Sequence, residues 1–448
     1  MANAVTSERN SNHELMRILS MFFIVLGHVF LFGELLDTPN KSMSIIYYFF
    51  EFILIVHVNS YVLVSGYYQS KSKFKQKQLL KIINASWFYR IVILLLFSIL
   101  GIISVSKVQV LKDLLPVTID NYWFIKVYIL LYCLSPFINK LISSISKNFY
   151  QKMLLCGFLV FSIIPAITGG EMFFNNGYSL YGFIYLYLVG AYLRIYPLEN
   201  SYFFKIFSKK LFRVIMICLF LGCALLNNIL FYYGKHISGT NQILDLVASY
   251  IDSASLAYSN PIIIIQSVAY FSIFTTLDIK SKFINKCSSL MLGVYFIHEN
   301  NYVRSKIYGW LGLLSVNSSK SWFIFYAFLM TIVIFVGSMI IERLRVALFK
   351  FISNRKISEK VNYINEIRIE LELLQDKVSG KNNKNVIASL CRKVRFSDPM
   401  SSEKLSTLEK EILDLVKEIS DMDEKTMPTK LDEISRKIDE RNKRCLMK

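Results

Sequence analysis

The sequence predicts an all-α fold: a polytopic membrane protein of about ten transmembrane helices, followed by a cytosolic helical tail. Three observations predict it. Of 448 residues, 54% are hydrophobic and only 19% are charged, a balance foreign to soluble domains. The apolar residues fall in blocks of roughly 18–25, the length that spans a bilayer as a helix. Lys and Arg concentrate in every second connection between the blocks, as the positive-inside rule requires.

Taken in order, the spans are 15–34, 44–66, 80–104, 122–141, 152–168, 180–197, 211–232, 257–277, 286–304 and 322–347. With the N-terminus inside, the cytosolic connections read QSKSKFKQKQ, NKLISSISKNFYQK, RIYPLENSYFFKIFSKKLFR and DIKSKFINK, all rich in Lys or Arg. The connections on the other side, such as FGELLDTPNKS and TGGEMFFNNGYS, are poorer in them. Both termini are therefore expected in the cytosol, on a multi-pass protein of the cell membrane. The span at 257–277 is the weakest of the set, because it carries Asn260 and Pro261 near its outer end.

After residue 350 the character changes. Residues 1–350 read as the transmembrane domain and 351–448 as a charged tail with apolar residues at helical spacing. SGKNNKNV (379–386) reads as a linker, and the last segment as two helices broken near Met427 and Pro428. A hairpin or short coiled coil is expected, open to self-association. The tail holds no cluster of metal ligands, no phosphate-binding loop and no nucleophile constellation. No metal and no nucleic acid are expected anywhere: the net charge of +19 sits in loops, without the basic–aromatic surface motifs of nucleic-acid binders. The seven cysteines lie in apolar segments, at a boundary or in the tail, so no disulfide framework is implied.

The first span, LMRILSMFFIVLGHVF, holds Arg17 and His28. Eleven residues at ~100° each close about three turns, so both side chains leave one face of the helix, ~16 Å apart along its axis. Ionisable groups in a membrane turn toward a bundle interior or a wet cavity. A cation at the inner end and a proton acceptor deeper in suit an anionic cytosolic donor and a reaction near the far side.

Further polar residues extend this constellation. Arg90 lies too deep in the third span to reach the headgroups, leaving a functional role or a structural pairing with Glu51. Glu51 lies at the depth of His28 and is a candidate to orient it, whereas His57, ~120° round the same helix, reads as a packed histidine. Trp123 opens the fourth span as an interfacial anchor or a sugar-stacking platform, with Lys126 one turn deeper. His298 and Glu299 close the ninth span. Because adjacent helical residues diverge by ~100°, at most one of them faces the cavity centre.

RNSNHELMRILSMFFIVLGHVF resembles the opening helix of the acyltransferase-3 family of integral membrane acyltransferases, in which an Arg or Lys precedes a His with ten residues between. VNSYVLVSGYYQSKSKF, NYWFIKVYILLYCLSPFINK, YLVGAYLRIYP, YSNPIIIIQSVAYF and GVYFIHENNYVR resemble later family segments in the same order. The resemblance covers about residues 10–350. It implies an acyltransferase moving an acetyl or other acyl group from cytosolic acetyl-CoA or another acyl-CoA to a hydroxyl of a cell-surface polysaccharide or lipid-linked glycan. It also implies that His28 is catalytic and that Arg17 meets the donor. Many bacterial members carry R-x-x-R in the third helix, where this chain has Trp87 and Arg90. The expected site is therefore His28 with Glu51 for catalysis, Arg17 and Arg90 for the donor, and Trp123, Lys126, His298 and Glu299 for the acceptor. A glycan or lipid transporter is the rival class, since a polar cavity serves transport as well. It calls for Gly- or Pro-interrupted helix pairs, which the sequence does not display.

Overall fold

The computed structural model describes residues 9–446 except 105, 115–121, 168–174, 199–206, 238–240, 243–244, 246–247, 250–253, 314–316, 399–402, 421 and 425. Every regular element among the described residues is helical. The chain divides into two compact units, 1–342 and 343–448.

The first unit begins with α1 (Ser11–Phe32), α2 (Lys41–Leu54), α3 (His57–Gln69), α4 (Gln76–Ile99) and α5 (Lys107–Leu114). Then come α6 (Trp123–Ser143), α7 (Lys147–Phe158, prolonged to Ile167), α8 (Leu180–Ile195), α9 (Lys209–Ile237) and α10 (Pro261–Thr275). Short helices α11 (Lys282–Ser288), α12 (Met291–His298) and α13 (Asn301–Leu313) precede the long α14 (Phe323–Lys377), within which the division into units falls. Side-chain caps start many of these helices. Asn10, Asn40, Ser146, Ser179 and Ser281 each accept a backbone N–H of the first turn, which satisfies donors a helix start leaves open. Asn260 caps α10 with Pro261 at its first turn, so the pair read as a weakness of the eighth span is its start signal.

Among the described residues, seven helices are long and apolar enough to cross a membrane: Ser11–Phe32, Lys41–Gln69, Gln76–Ile99, Trp123–Ser143, Lys147–Ile167, Lys209–Gly234 and Phe323–Asn354. Leu180–Ile195 and Pro261–Thr275 are apolar but shorter. The expected ninth span is not one helix; it is divided among α11, α12 and the start of α13. Large apolar side chains such as Leu95, Ile99, Phe325 and Leu329 are exposed on the long helices, as a lipid-facing surface requires.

Two interruptions shape the interior, and neither involves Gly or Pro. Between α2 and α3, Gln266 of α10 donates its side-chain amide to the Phe52 carbonyl at 2.8 Å. In an unbroken helix that carbonyl would serve the N–H of Val56, so an inserted side chain marks the kink. After α12, Asn300 accepts the N–H of Tyr302 (3.0 Å) and donates to the Tyr122 hydroxyl (3.1 Å), which starts α13 afresh. Helix α3 meets α8 at backbone contact: a Cβ on Gly66 would lie 2.1 Å from the Tyr187 carbonyl oxygen, and one on Gly190 would lie 2.1 Å from that of Leu63. Two apolar cores result. One joins α1, α2, α4, α6, α12 and α14 through Val25, Phe30, Tyr47, Val294 and Ala327. The other joins α3, α8 and α10 through Leu63, Tyr187, Ile263 and Phe271.

The second unit is a bundle. The end of α14, α15 (Lys381–Arg395), α16 (Glu403–Ile419) and α17 (Met427–Leu446) bury Ile367, Leu371, Leu390, Ile412, Val416 and Ile434 in one core. Helix α15 begins inside the stretch read as a linker. Arg441 is buried there and pairs with the buried Glu409 at 2.9 Å. Removing one partner of such a pair strands a charge and costs about 3–5 kcal/mol. Glu409→Ala is therefore expected to speed hydrogen exchange across 403–446 in the full chain; unchanged protection there would show that the pair contributes no stability.

Candidate active site

A cavity of about 620 Å³ opens inside the first unit, and its walls draw on both cores through Met21, Ile24, Val58, Ile82, Tyr258 and Tyr295. Arg17 and His28 both line it, as one helical face dictates. Helix α3 runs opposite to α1: the Tyr61 hydroxyl donates to the Arg17 carbonyl at 2.7 Å, and Tyr68 meets His13 at 2.8 Å. Its first residue, His57, therefore lies toward the His28 end. The chain that follows it returns Lys75, Lys77 and Lys81 to the Arg17 end, where Arg9 also lies, and all four line the cavity. One end is thus strongly cationic, the middle is apolar, and the other end carries imidazole, carboxylate and phenol groups.

At the cationic end, both oxygens of Glu14 accept from Arg17 (3.1 and 3.3 Å), and Glu14 also accepts the Ser288 hydroxyl. The arginine is thereby anchored, yet it remains 31% exposed and open to a further anion. At the other end, His28 Nδ1 stands 3.1 Å from Glu299 Oε2. Arg304 donates to Glu299 Oε1 at 2.9 Å and stacks over the Phe32 ring beside His28. His298 lies 5.4 Å from His28, ring to ring, and its Nδ1 is 2.6 Å from the Val294 carbonyl oxygen. His28, His298 and Glu299 present ligand atoms within 4.8 Å of one another, so these are the residues that could hold a metal ion.

The remaining expected residues divide. Trp123 lines the cavity, stacked with Tyr258 and against Tyr178. Lys126 is half-buried and is not among the described lining residues. Arg90 is buried in a pair with Asp113 at 3.0 Å, and Asp113 also accepts the Tyr302 hydroxyl at 2.5 Å. Its partner is thus Asp113 rather than Glu51, and Arg90 is not among the described lining residues. Glu51 is buried too, with its carboxylate against the backbone of Gly27, where a Cβ would lie 3.5 Å away. The carboxylate that reaches His28 is Glu299. His298 and Glu299 both approach His28, although Glu299, the C-cap of α12, keeps helical backbone angles and bonds its N–H to the Tyr295 carbonyl. Only Glu299 of the two lines the cavity.

His57, which the sequence suggests is a packed histidine, lines the cavity edge-on to Tyr258, and Arg304, Tyr258 and Tyr295 at this end are not singled out by the sequence. Arg304 had a signal, five residues beyond Glu299 in a segment already singled out. His57 had only its place on an apolar span.

A family profile described as an acyltransferase domain matches residues 10–343. No curated protein and no solved structure matches the chain. The matched stretch holds α1 through most of the first unit, including Arg17, His28 and every other cavity residue beyond Arg9, and the chain belongs to the acyltransferase-3 family of membrane acyltransferases.

Proposed function

We propose that this acyltransferase takes an acyl group, most simply acetyl, from cytosolic acyl-CoA and places it on a hydroxyl of a cell-surface polysaccharide or lipid-linked glycan. The observation that carries the reading is the single cavity with cations at one end and His28 at the other. The anionic head of acyl-CoA suits Arg9, Arg17, Lys75, Lys77 and Lys81, and its long apolar arm suits the middle. The thioester would then reach the level of His28, with the cationic end facing the cytosol and both termini on that side.

The chemistry follows from a neutral imidazole. As the acceptor hydroxyl attacks the thioester carbonyl carbon, His28 takes its proton. The oxyanion needs donors, and the Trp123 indole and Tyr295 hydroxyl belong to the same lining. Collapse breaks the C–S bond, and the thiolate leaves with the proton that His28 held. Trp123 and Tyr258 offer aromatic faces for a sugar ring. No metal takes part in this scheme, and the tail adds self-association or regulation but no chemistry.

Arg17→Ala tests the donor end. Losing one charge-assisted contact of about 1.5–3 kcal/mol raises the acetyl-CoA constant roughly tenfold or more, while kcat at saturating donor is expected to hold. Donor titrations with purified protein in lipid vesicles measure both. An unchanged donor constant would remove Arg17 from the donor site. Mass spectrometry of surface glycans from cells with and without the protein tests the acceptor class: no acyl difference would overturn it. The same polar cavity would also serve a glycan or lipid transporter; glycan movement across vesicles without acyl-CoA would favour that reading.

A further inference from the structure

The reactive end contains more polar atoms than a lone base needs. His28 Nδ1, Glu299 Oε2 and His298 Nε2 are all buried, and none makes a hydrogen bond of good geometry among the described residues. The three residues nevertheless converge, each with a ligand atom within 4.8 Å of the others. Their proton inventory is fixed by their neighbours. The Val294 carbonyl can only accept, so His298 carries its proton on Nδ1, and its Nε2 is left as an acceptor. An ionised Glu299 is an acceptor as well, anchored through its other oxygen by Arg304. One of these acceptors, Glu299 Oε2, faces His28 Nδ1 at 3.1 Å.

From this convergence we propose that Glu299 is the positioning residue for His28, holding its proton on Nδ1 so that Nε2 is the free base. The inference rests on reading His28 as the base. A neutral imidazole has one N–H, and the nitrogen facing acceptors keeps it. When Nε2 takes the acceptor's proton, the imidazolium is balanced by the carboxylate beside Nδ1, as in carboxylate–imidazole pairs generally. Arg304 fixes the carboxylate through its other oxygen. Glu51, the other buried carboxylate near α1, faces the Gly27 backbone instead.

The test is a set of variants in the full-length protein in lipid vesicles, read as kcat and as KM for acetyl-CoA, with thermal melting to confirm folding. Glu299→Gln keeps the shape but removes the charge, and kcat is expected to fall at unchanged KM, by up to the 10²–10⁴-fold that a general base contributes. Glu299→Asp is expected to recover part of that loss. If Glu299→Gln does not fold, Arg304→Gln carries the test, because it frees the carboxylate and should lower kcat by a smaller factor. Wild-type kcat in Glu299→Gln, or in Arg304→Gln where that variant stands in, would overturn the assignment. So would equal losses in Glu299→Gln and Glu299→Asp with KM raised. A stoichiometric divalent metal in the purified protein, with activity lost to chelators, would overturn it too, since the three atoms would then be ligands. Normal activity in His28→Ala would instead overturn the reading of His28 beneath it, which distinguishes the two failures.

Discussion

Replacing His28 by Ala is expected to lower acyl transfer by about 10²–10⁴-fold, the usual contribution of a positioned general base, while acetyl-CoA still binds. The asymmetry follows from the cavity. His28 lies on the same face of α1 as Arg17 but ~16 Å further along the axis, so its loss leaves Arg9, Arg17, Lys75, Lys77 and Lys81 in place. Equilibrium binding of acetyl-CoA and single-turnover transfer, measured on the same preparation, separate the two. Transfer at the normal rate would show that the hydroxyl loses its proton elsewhere. Arg17→Ala should show the reverse pattern, and Arg17→Lys should be tolerated in part if the role is point-charge attraction, since an ammonium lacks the bidentate grip of a guanidinium.

The largest structural effect is expected at the crossing of α3 and α8. A Cβ at Gly190 would meet the Leu63 carbonyl oxygen at 2.1 Å, and one at Gly66 would meet that of Tyr187 at the same distance. The obstacle in each case is backbone, which cannot rotate aside, so the helices must separate. Overpacking costs about 1–3 kcal/mol even where side chains can adjust. Close helix contact through small residues is also a main source of association in a bilayer. Gly190→Ala should therefore lower the melting temperature of the purified protein and reduce the amount recovered from membranes. Gly337→Ala is the control, because its Cβ would meet nothing within 4 Å. Equal melting temperatures for the two variants would contradict the close crossing. Activity should suffer along with stability, since α3 supplies His57 and Tyr61 to the cavity wall.

In α4, Arg90 is buried with Asp113 and is not among the described lining residues of the cavity. Lysines at the start of α4 supply cations at the donor end instead. The positive charge on which the proposed donor site depends is thus carried at the cavity's rim, where hydration lowers its cost, rather than deep in the apolar interior.

The sequence by itself determined the helical class, the membrane-spanning character, the change of composition near residue 350, the family, and the pairing of Arg17 with His28 on one face. Each of these depends on local order: apolar block length, charge alternation, motif spacing and helical pitch. Tertiary structure alone decided which carboxylate meets His28, where Arg90 finds its partner, and that His57 belongs to the cavity. It also decided that two apolar segments are interrupted without Gly or Pro. The cause lies in contacts across the chain. Gln266 takes a carbonyl from Phe52, and Asn300 diverts backbone and phenol hydrogen bonds at the end of α12. Span length and order placed Glu51 at the depth of His28, but only the folded chain shows that Glu299, at the end of α12, comes within 3.1 Å of His28.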